Sequence, residues 1–333
     1  MWRVSFMRLD WIDTLKGFAI FTVVLGHCVT DSMASNNYQD YKIVMKTIYD
    51  FIYSFHMPLF FVISGYLFYL TKSYTKFKSK ALDYFLVYLF WSFLTWLSKF
   101  IAGSHVNNPV TFYDLVAILW HPILVLWYLY VLIVFYIVFS LIDFKRINLK
   151  HLIFFGIIGC VVRYLPIDIG ILKNCFYYSF FFALGGYLCL NKIEIPFPLA
   201  FTSFIICILN SILYITYPIS LSNELSILKG FIIANAATFI LFFSFVKLKF
   251  LSNSPTFKLL GKYSLQIYVI HCFITGGLRI AFRIIGINNF VLYFTLGTLL
   301  GIIIPIIIAK ICEKNYFLNI PFSPIAGIKR ISR

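Results

Sequence analysis

The sequence predicts an all-α fold, a polytopic bundle of about ten transmembrane helices. Of the 333 residues, 61% are hydrophobic and only 12% are charged, and the mean hydropathy is +0.90. Soluble domains typically carry about 25% charged residues, so this chain has too few polar groups to cover a globular surface. Its apolar runs are long enough to cross a bilayer as helices, which takes about 20 residues each.

Ten apolar segments follow one another along the chain and are predicted to be its transmembrane helices. Their approximate bounds are 13–31, 50–70, 82–101, 121–142, 151–165, 175–190, 198–217, 227–246, 263–285 and 290–312. The fifth and sixth are short for a full span, which leaves open whether they are tilted partners or whether one is partly re-entrant. No repeat and no soluble appendage is visible, so residues 1–333 are predicted to form one membrane domain.

The basic residues lie mainly at the two termini and in every second loop between the predicted segments. If both termini are cytoplasmic, 20 of the 28 Lys and Arg residues fall on inner segments. Positive charge is enriched in cytoplasmic loops, so we expect a multi-pass protein of the cell (inner or plasma) membrane with both termini inside. This bias also accounts for the net charge of +16. The expected partner is therefore the lipid bilayer and not nucleic acid.

Seven cysteines are scattered through the apolar segments, and none forms a Cys-x-x-Cys pair. This spacing predicts neither a metal site nor a disulfide framework. We expect the cysteines to be small buried apolar residues.

The first segment carries ionisable residues on one face. Lys16 and His27 are about 20° from eclipsed and about 16 Å apart along a helix axis, and Asp13 falls on nearly the same face. Ionisable groups within a bilayer are costly and indicate a functional site, unless they snorkel or make packing hydrogen bonds. For Lys16 both alternatives stay open. His27 is predicted to be functional because it lies deeper and titrates near neutral pH. These residues favour a retained helix over a signal peptide.

The second segment contains the run Ser-Phe-His-Met-Pro-Leu-Phe-Phe-Val-Ile-Ser-Gly, residues 54–65. Pro58 is expected to free a carbonyl near His56, and Ser64-Gly65 to allow a neighbouring helix to approach closely. A kinked packing helix explains Pro58 and Gly65 but gives no reason for His56. His56 is predicted to lie in the outer half of the membrane, as is His27, because segment one ends and segment two begins there.

These motifs resemble those of a known family. The stretch from Arg8 to Ile20, followed by Gly26-His27, is similar to the first helix of acyltransferase family three, where a basic residue and ten further residues precede a histidine. The run at 54–65 is similar to the second-helix signature of that family, and residues 126–129 and 260–271 are similar to later segments. Within the family, the chain is most like the stand-alone sugar O-acetylases, including fucose 4-O-acetylases.

The resemblance implies an enzyme, a membrane O-acyltransferase and most specifically an O-acetyltransferase. Its donor would be acetyl-CoA or another acyl-CoA, presented from the cytoplasm, and its acceptor a sugar hydroxyl of a surface or lipid-linked polysaccharide. His27 would be the base or the acyl carrier, His56 its partner, and Lys16 a contact to the donor. The donor is a substrate, so no permanently bound cofactor and no metal is expected.

One position departs from the family pattern. The family often has two arginines three residues apart where helix three leaves the cytoplasm, and here Lys80 and Asp83 stand in that stretch. If that pair binds donor phosphates, Lys78 and Lys80 are expected to rebuild part of the contact, without the bidentate fork of arginine. Asp83 must then point away or be neutralised by a lysine such as Lys80. An ordinary topology-setting loop explains each single lysine equally well.

Further candidates for the acceptor site or cavity come from later segments and from Asp13. His271 lies about 12 Å into segment nine, and the family resemblance makes it a site candidate. Arg279, Arg283 and Arg163 are basic residues on the outer side, against the topology bias. They are expected either to bind an anionic glycan or lipid phosphate or to anchor to headgroups.

The alternative function is a polytopic transporter or flippase for a glycan-related substrate, in which intramembrane charges relay protons or bind substrate. Transporters often have two related halves with broken helices in matching positions. Pro58 has no counterpart of this kind in the chain. Consumption of acetyl-CoA by the purified protein would discriminate between the two functions.

Overall fold

The computed structural model describes residues 9–34, 36–141, 147–216 and 223–325. Over these ranges the chain forms helices and turns and contains no strand, so the predicted all-α polytopic fold is confirmed. The α-helices are α1 (Asp10–Met33), α2 (Lys42–Tyr53), α3 (His56–Leu70), α4 (Phe77–Ala102), α5 (Phe112–Ala117), α6 (Trp127–Leu141), α7 (Leu149–Tyr164), α8 (Ile171–Leu190), α9 (Phe197–Thr216), α10 (Asn223–Lys247), α11 (Lys249–Ser252), α12 (Pro255–Lys262), α13 (Ser264–Ile285), α14 (Phe290–Glu313) and α15 (Tyr316–Asn319).

Each of the ten predicted segments overlaps at least one of these helices, and the second overlaps both α2 and α3. Seven stretches of the described chain are long and apolar enough to cross a membrane, and they contain α1, α2 with α3, α4, α6, α10, α13 and α14. The fifth and sixth segments, now α7 and α8, are not among them, although α8 with 20 residues is longer than predicted. The seventh, α9, contributes a shorter apolar stretch, Phe197–Leu213.

The second segment differs from its prediction at its start. Ser54 and Phe55 form a turn that separates α2 from α3, so His56 is the first residue of α3. Pro58 therefore lies in the first helical turn, where its missing N–H would have had no partner within the helix. The segment is interrupted at Ser54 and Phe55, just before Pro58, and the freed carbonyl near His56 stays a prediction.

Some residues used to predict orientation lie outside the described ranges, and so does the basic residue at the start of the helix-one motif. They are Arg3, Arg8, Lys145, Arg146, Lys329, Arg330 and Arg333.

The chain divides into two compact units. The first unit comprises Met1–Ala19, Ser54–Phe77 and Val138–Lys262. In it, α3 and α8 cross at two glycines: a Cβ at Gly65 would lie 1.9 Å from the Phe182 carbonyl oxygen, and one at Gly185 would lie 1.9 Å from that of Val62. Only glycine permits this backbone contact, so the predicted role of Gly65 is confirmed.

The second unit comprises Ile20–Tyr53, Lys78–Ile137 and Tyr263–Arg333. Two of the motif stretches meet in it, because the Tyr268 hydroxyl of α13 donates to the Val125 carbonyl just before α6 and the Tyr268 ring packs edge-on against Tyr128. The segment after α15 docks on α4, where Trp91 Nε1 donates to the Pro321 carbonyl oxygen at 2.9 Å.

Candidate active site

Two predicted site residues, His27 and His271, meet in the second unit. Their ring centroids are 5.1 Å apart, and the rings are tilted by 50°. His271 is fully buried, whereas His27 is partly exposed. A glycine of α14 allows the helices to approach, because a Cβ at Gly301 would lie 3.1 Å from Val24 of α1 and 3.3 Å from Thr275 of α13. The packing of α1, α13 and α14 at this glycine therefore brings the two imidazoles side by side.

The hydrogen bonds of His271 define its neutral tautomer. Its Nδ1 lies 2.9 Å from the Ile267 carbonyl oxygen, which can only accept, so we assign the proton to Nδ1. The lone pair of Nε2 then faces Cys272, whose Sγ is 3.3 Å away. The thiol is the donor in this contact. The result is a nucleophile hydrogen-bonded to a base, and the base is oriented in turn by a backbone carbonyl.

These three side chains are also close enough to ligate a metal ion. One ligand atom from each of His27, His271 and Cys272 lies within 4.8 Å of the others. His271 and Cys272 are consecutive on a helix, where neighbouring side chains point about 100° apart. Their direct contact at 3.3 Å fits a hydrogen bond. The predicted absence of a metal stays a prediction.

A polar column continues from the imidazole pair along both helices. Asp31 follows His27 by one turn, and Thr275 follows His271 by one turn. Thr275 Oγ1 donates to Asp31 Oδ2 at 3.2 Å, and the Tyr293 hydroxyl lies 3.5 Å from the same oxygen. One turn further, Arg279 interacts electrostatically with Asp31.

Arg279 is the most unusual member of this column. Only 7% of its surface is exposed, and its Nε has no hydrogen-bond partner among the described residues. A buried donor without an acceptor costs about 1–3 kcal/mol, and more when it is charged. A ligand oxygen at Nε would remove that cost, and the role of Arg279 in an acceptor site stays a prediction.

The first half of α1 is held by α12 in the first unit. Asp10 Oδ1 and Lys258 Nζ form an ion pair at 2.7 Å. A Cβ at Gly17 would lie 1.8 Å from the Phe257 carbonyl oxygen, and one at Gly261 would lie 1.8 Å from that of Asp13. These glycines, which belong to two of the motif stretches, are thus explained by contact between two backbones.

The predicted residues Asp13 and Lys16 come together on this half of α1. Lys16 Nζ lies 3.4 Å from Asp13 Oδ1, and both side chains are largely shielded from solvent. His56, the second predicted catalytic residue, is also in the first unit and is 2% exposed.

The predicted donor-binding lysines, Lys78 and Lys80, are exposed in the first turns of α4. Neither forms an ion pair with a described residue, and no acidic residue lies in that first turn. Cations at a helix N-terminus are unfavourable unless an anion binds there. Asp83 does not neutralise Lys80: its Oδ1 accepts a hydrogen bond at 3.0 Å from the backbone N–H of Ile325.

The two remaining predicted arginines are exposed and have local partners. Arg163 donates to Asn174 Oδ1 at 3.1 Å, and its guanidinium lies 5.2 Å from the Tyr177 ring centroid. Arg283 donates to the carbonyl oxygen of His105 at 3.2 Å. These contacts anchor the ends of the helices that carry the two arginines.

The comparison with known families decides the class of the protein. A family profile described as an acyltransferase domain, that of acyltransferase family three, matches residues 9–310. The chain belongs to acyltransferase family three. No curated protein and no solved structure shows a significant match to it. The protein is thus a membrane acyltransferase, while the closer likeness to sugar O-acetylases stays a prediction.

Asp31 and Cys272 are among the members of this side-chain cluster that the sequence analysis missed. Asp31 lies at i+4 from His27, on the same helix face, and that spacing was the available signal. Cys272 directly follows His271, but it was grouped with the other cysteines as an apolar residue. Only the contact across to Nε2 distinguishes it.

The acyltransferase also has an apolar cavity of about 700 Å³ in its first unit, lined by α7, α8, α9 and α10. Its lining contains no histidine and no charged side chain. It therefore offers no side chain that accepts a proton near neutral pH.

Proposed function

We propose that this membrane acyltransferase is an O-acetyltransferase, which moves an acetyl group from acetyl-CoA to a sugar hydroxyl of a surface or lipid-linked polysaccharide. The observation that carries the proposal is the pair of imidazoles, His27 and His271, in a chain of an acyltransferase family. A hydroxyl that attacks a thioester carbonyl must lose its proton, and imidazole is the side chain that accepts protons near neutral pH. His27, the more accessible of the two, accepts the hydroxyl proton.

The polar column supports a hydroxyl-rich acceptor. Sugar hydroxyls both donate and accept hydrogen bonds. The Asp31 carboxylate, one turn beyond His27, is an acceptor, and the Arg279 guanidinium, two turns beyond His271, is a donor. Arg279 also suits an anionic sugar, since its Nε–H, which has no acceptor among the described residues, would donate to a carboxylate or phosphate oxygen.

Three lysines are proposed to bind the donor. Lys78 and Lys80 are exposed cations at the start of α4 that form no ion pair with a described residue, and Lys16 lies on α1 beside Asp13. The phosphates of CoA need cations or backbone donors to replace water. With both termini in the cytoplasm of a cell membrane protein, these lysines face the compartment that supplies acetyl-CoA. His56 stays the proposed second catalytic residue, from its buried position at the start of α3.

The test compares the parent protein with His27→Ala and His271→Ala. We expect each to lower acetyl transfer by about 10²–10⁴-fold, the usual contribution of a general base. The measurements are acetyl-CoA consumption by the purified protein and mass spectrometry of surface glycans from cells that express each variant. His121→Ala, which removes an exposed histidine, is the matched control.

A parent protein that neither consumes acetyl-CoA nor changes the glycan would refute this proposal and favour the transporter alternative. Full activity of His27→Ala, at parental levels of membrane insertion, would show that His27 is a packing residue.

A further inference from the structure

Cys272 lies close to the imidazoles of His27 and His271. Direct transfer of the acyl group from the donor to the acceptor assigns no role to its thiol. We propose that Cys272 is a catalytic nucleophile that carries the acyl group as a thioester between the donor and the acceptor. The proposal rests on the proposed function in one respect, namely that the donor is an acyl-CoA.

The first support is the geometry of attack. The Nδ1 proton of His271 is held by the Ile267 carbonyl, so its Nε2 is free of a proton and receives the S–H of Cys272 at 3.3 Å. A nucleophile, a base and a group that orients the base are the three parts of an activated thiol site. Here all three come from one turn and a half of α13.

The second support is the contrast with the other cysteines. All seven are in the described part of the chain and are free thiols. Among the described contacts, Cys272 alone has an imidazole nitrogen as its partner, while Cys28 Sγ, for example, is 3.8 Å from the hydroxyl of Thr298. Cys272 therefore differs from its counterparts in chemistry and not only in position.

The third support is the number of bases. A direct transfer needs one general base, but the cluster contains two imidazoles and a thiol whose ligand atoms lie within 4.8 Å of one another. Transfer through a carrier has two half-reactions and uses both imidazoles.

In the first half-reaction, Cys272 Sγ attacks the carbonyl carbon of acyl-CoA while His271 Nε2 takes the thiol proton. The bond from the carbonyl carbon to the CoA sulfur breaks, and the proton passes from His271 to that sulfur. One thioester replaces another, so no oxidant, reductant or further reactant is needed.

In the second half-reaction, a sugar hydroxyl attacks the Cys272 thioester while His27 takes the hydroxyl proton. The carbon–sulfur bond breaks, an oxygen ester forms, and the proton returns to Cys272 through the imidazoles. The protein is restored, and the acyl group has moved from sulfur to oxygen.

The first experiment needs no substitution. Purified full-length protein is incubated with acetyl-CoA and isotopically labelled CoA in the absence of acceptor. We expect label to enter acetyl-CoA, and peptide mass spectrometry to find one acetyl group on Cys272 that neutral hydroxylamine removes.

The second experiment compares Cys272→Ala and Cys272→Ser with Cys312→Ala, which removes a cysteine at the far end of α14. Both Cys272 variants should lose the exchange and lower kcat for transfer by on the order of 10²-fold or more, with little change in acetyl-CoA binding. Cys312→Ala should behave as the parent. Retained acetyl-CoA binding also shows that the Cys272 variants are folded.

The outcomes separate the two proposals. Acetyl transfer by the parent without exchange, with Cys272→Ala as active as Cys312→Ala, would overturn the carrier and leave the O-acetyltransferase in place. Acetyl found on His27 or His271 instead of Cys272 would also overturn it. A parent that does not use acetyl-CoA at all would overturn both.

Discussion

The two arginines near the end of α13 show how one turn of helix separates two roles. Arg279 is buried beside Asp31, and its Nε has no hydrogen-bond partner in the part of the chain that the structure describes, whereas Arg283 is exposed and bonded to His105. The sequence treats them alike, since both are outer-side arginines at i and i+4. Burial makes the first costly unless a ligand completes its contacts.

At this scale we expect Arg279→Gln to have two effects. The apparent KM for the acceptor rises because a charged donor is lost, and the protein is destabilised by about 1–3 kcal/mol because Asp31 loses its counter-ion. Arg283→Gln, at the exposed position, should cost about 0–1 kcal/mol. Thermal unfolding in detergent and acceptor titrations measure both. Equal effects of the two substitutions would contradict the assignment of Arg279 to the acceptor site.

At the scale of elements, pairs of glycines determine which helices can touch. The α3–α8 crossing has no space for a Cβ at Gly65 or Gly185, and the α1–α12 contact has none at Gly17 or Gly261. Gly230 of α10, in contrast, has no heavy atom within 4 Å of a Cβ built there. Glycine is therefore required at the crossings and is only tolerated at Gly230.

We expect Gly65→Ala to lower the free energy of unfolding by at least about 1–3 kcal/mol, because the helices must separate to admit the methyl group. Gly230→Ala should leave stability unchanged or raise it by up to about 1 kcal/mol, since alanine favours helix more than glycine does. Unfolding transitions of the two purified variants test this. A Gly65→Ala protein as stable as Gly230→Ala would mean that α3 and α8 are not in backbone contact.

The start of α4 is the second element with a testable role. Lys80→Ala is expected to weaken acetyl-CoA binding on the order of tenfold at low salt, through loss of a charge-assisted contact to phosphate. The effect should shrink as salt is raised, because Lys80 is exposed and screened. Lys249→Ala, which removes another exposed lysine, is the control for net charge. If both bind equally tightly, the donor phosphates lie elsewhere.

The hydrogen bond that Asp83 accepts from Ile325 determines what a substitution of Asp83 is expected to do. Because its carboxylate holds the Ile325 N–H, Asp83→Arg removes an anchor of the C-terminal segment as well as a negative charge. Asp83→Asn keeps an acceptor oxygen and separates the two effects. We expect Asp83→Asn to preserve stability and Asp83→Arg to lower it, which thermal unfolding measures.

For the whole molecule, the distribution of basic residues predicts both termini in the cytoplasm. Single cysteines introduced by Thr75→Cys and Leu318→Cys should then resist an impermeant thiol reagent added to intact cells, whereas Asn108→Cys should react. All three positions are exposed, so reagent access depends on the side of the membrane and not on burial. Labelling of Leu318→Cys from outside would exclude this topology.

The sequence by itself determined the fold class, the positions of the helices and the family. These properties are local: hydropathy over a run of residues decides whether a segment enters lipid, and the motifs around His27 and His56 are read without knowledge of their neighbours. For the same reason the sequence identified His27, Lys16 and Arg279 individually as candidate site residues, without indicating which of them lie close together.

The tertiary structure alone decided which of the candidate residues lie close together. His27 and His271 are far apart in the chain, and Asp31 reaches Thr275 and Tyr293 only because α1, α13 and α14 pack at a glycine. The role proposed for Cys272 starts from its contact with His271 at 3.3 Å, which no periodicity encodes. Chemistry of this kind requires atoms within hydrogen-bond distance, and those distances are set by packing between segments and not by the order of residues within one.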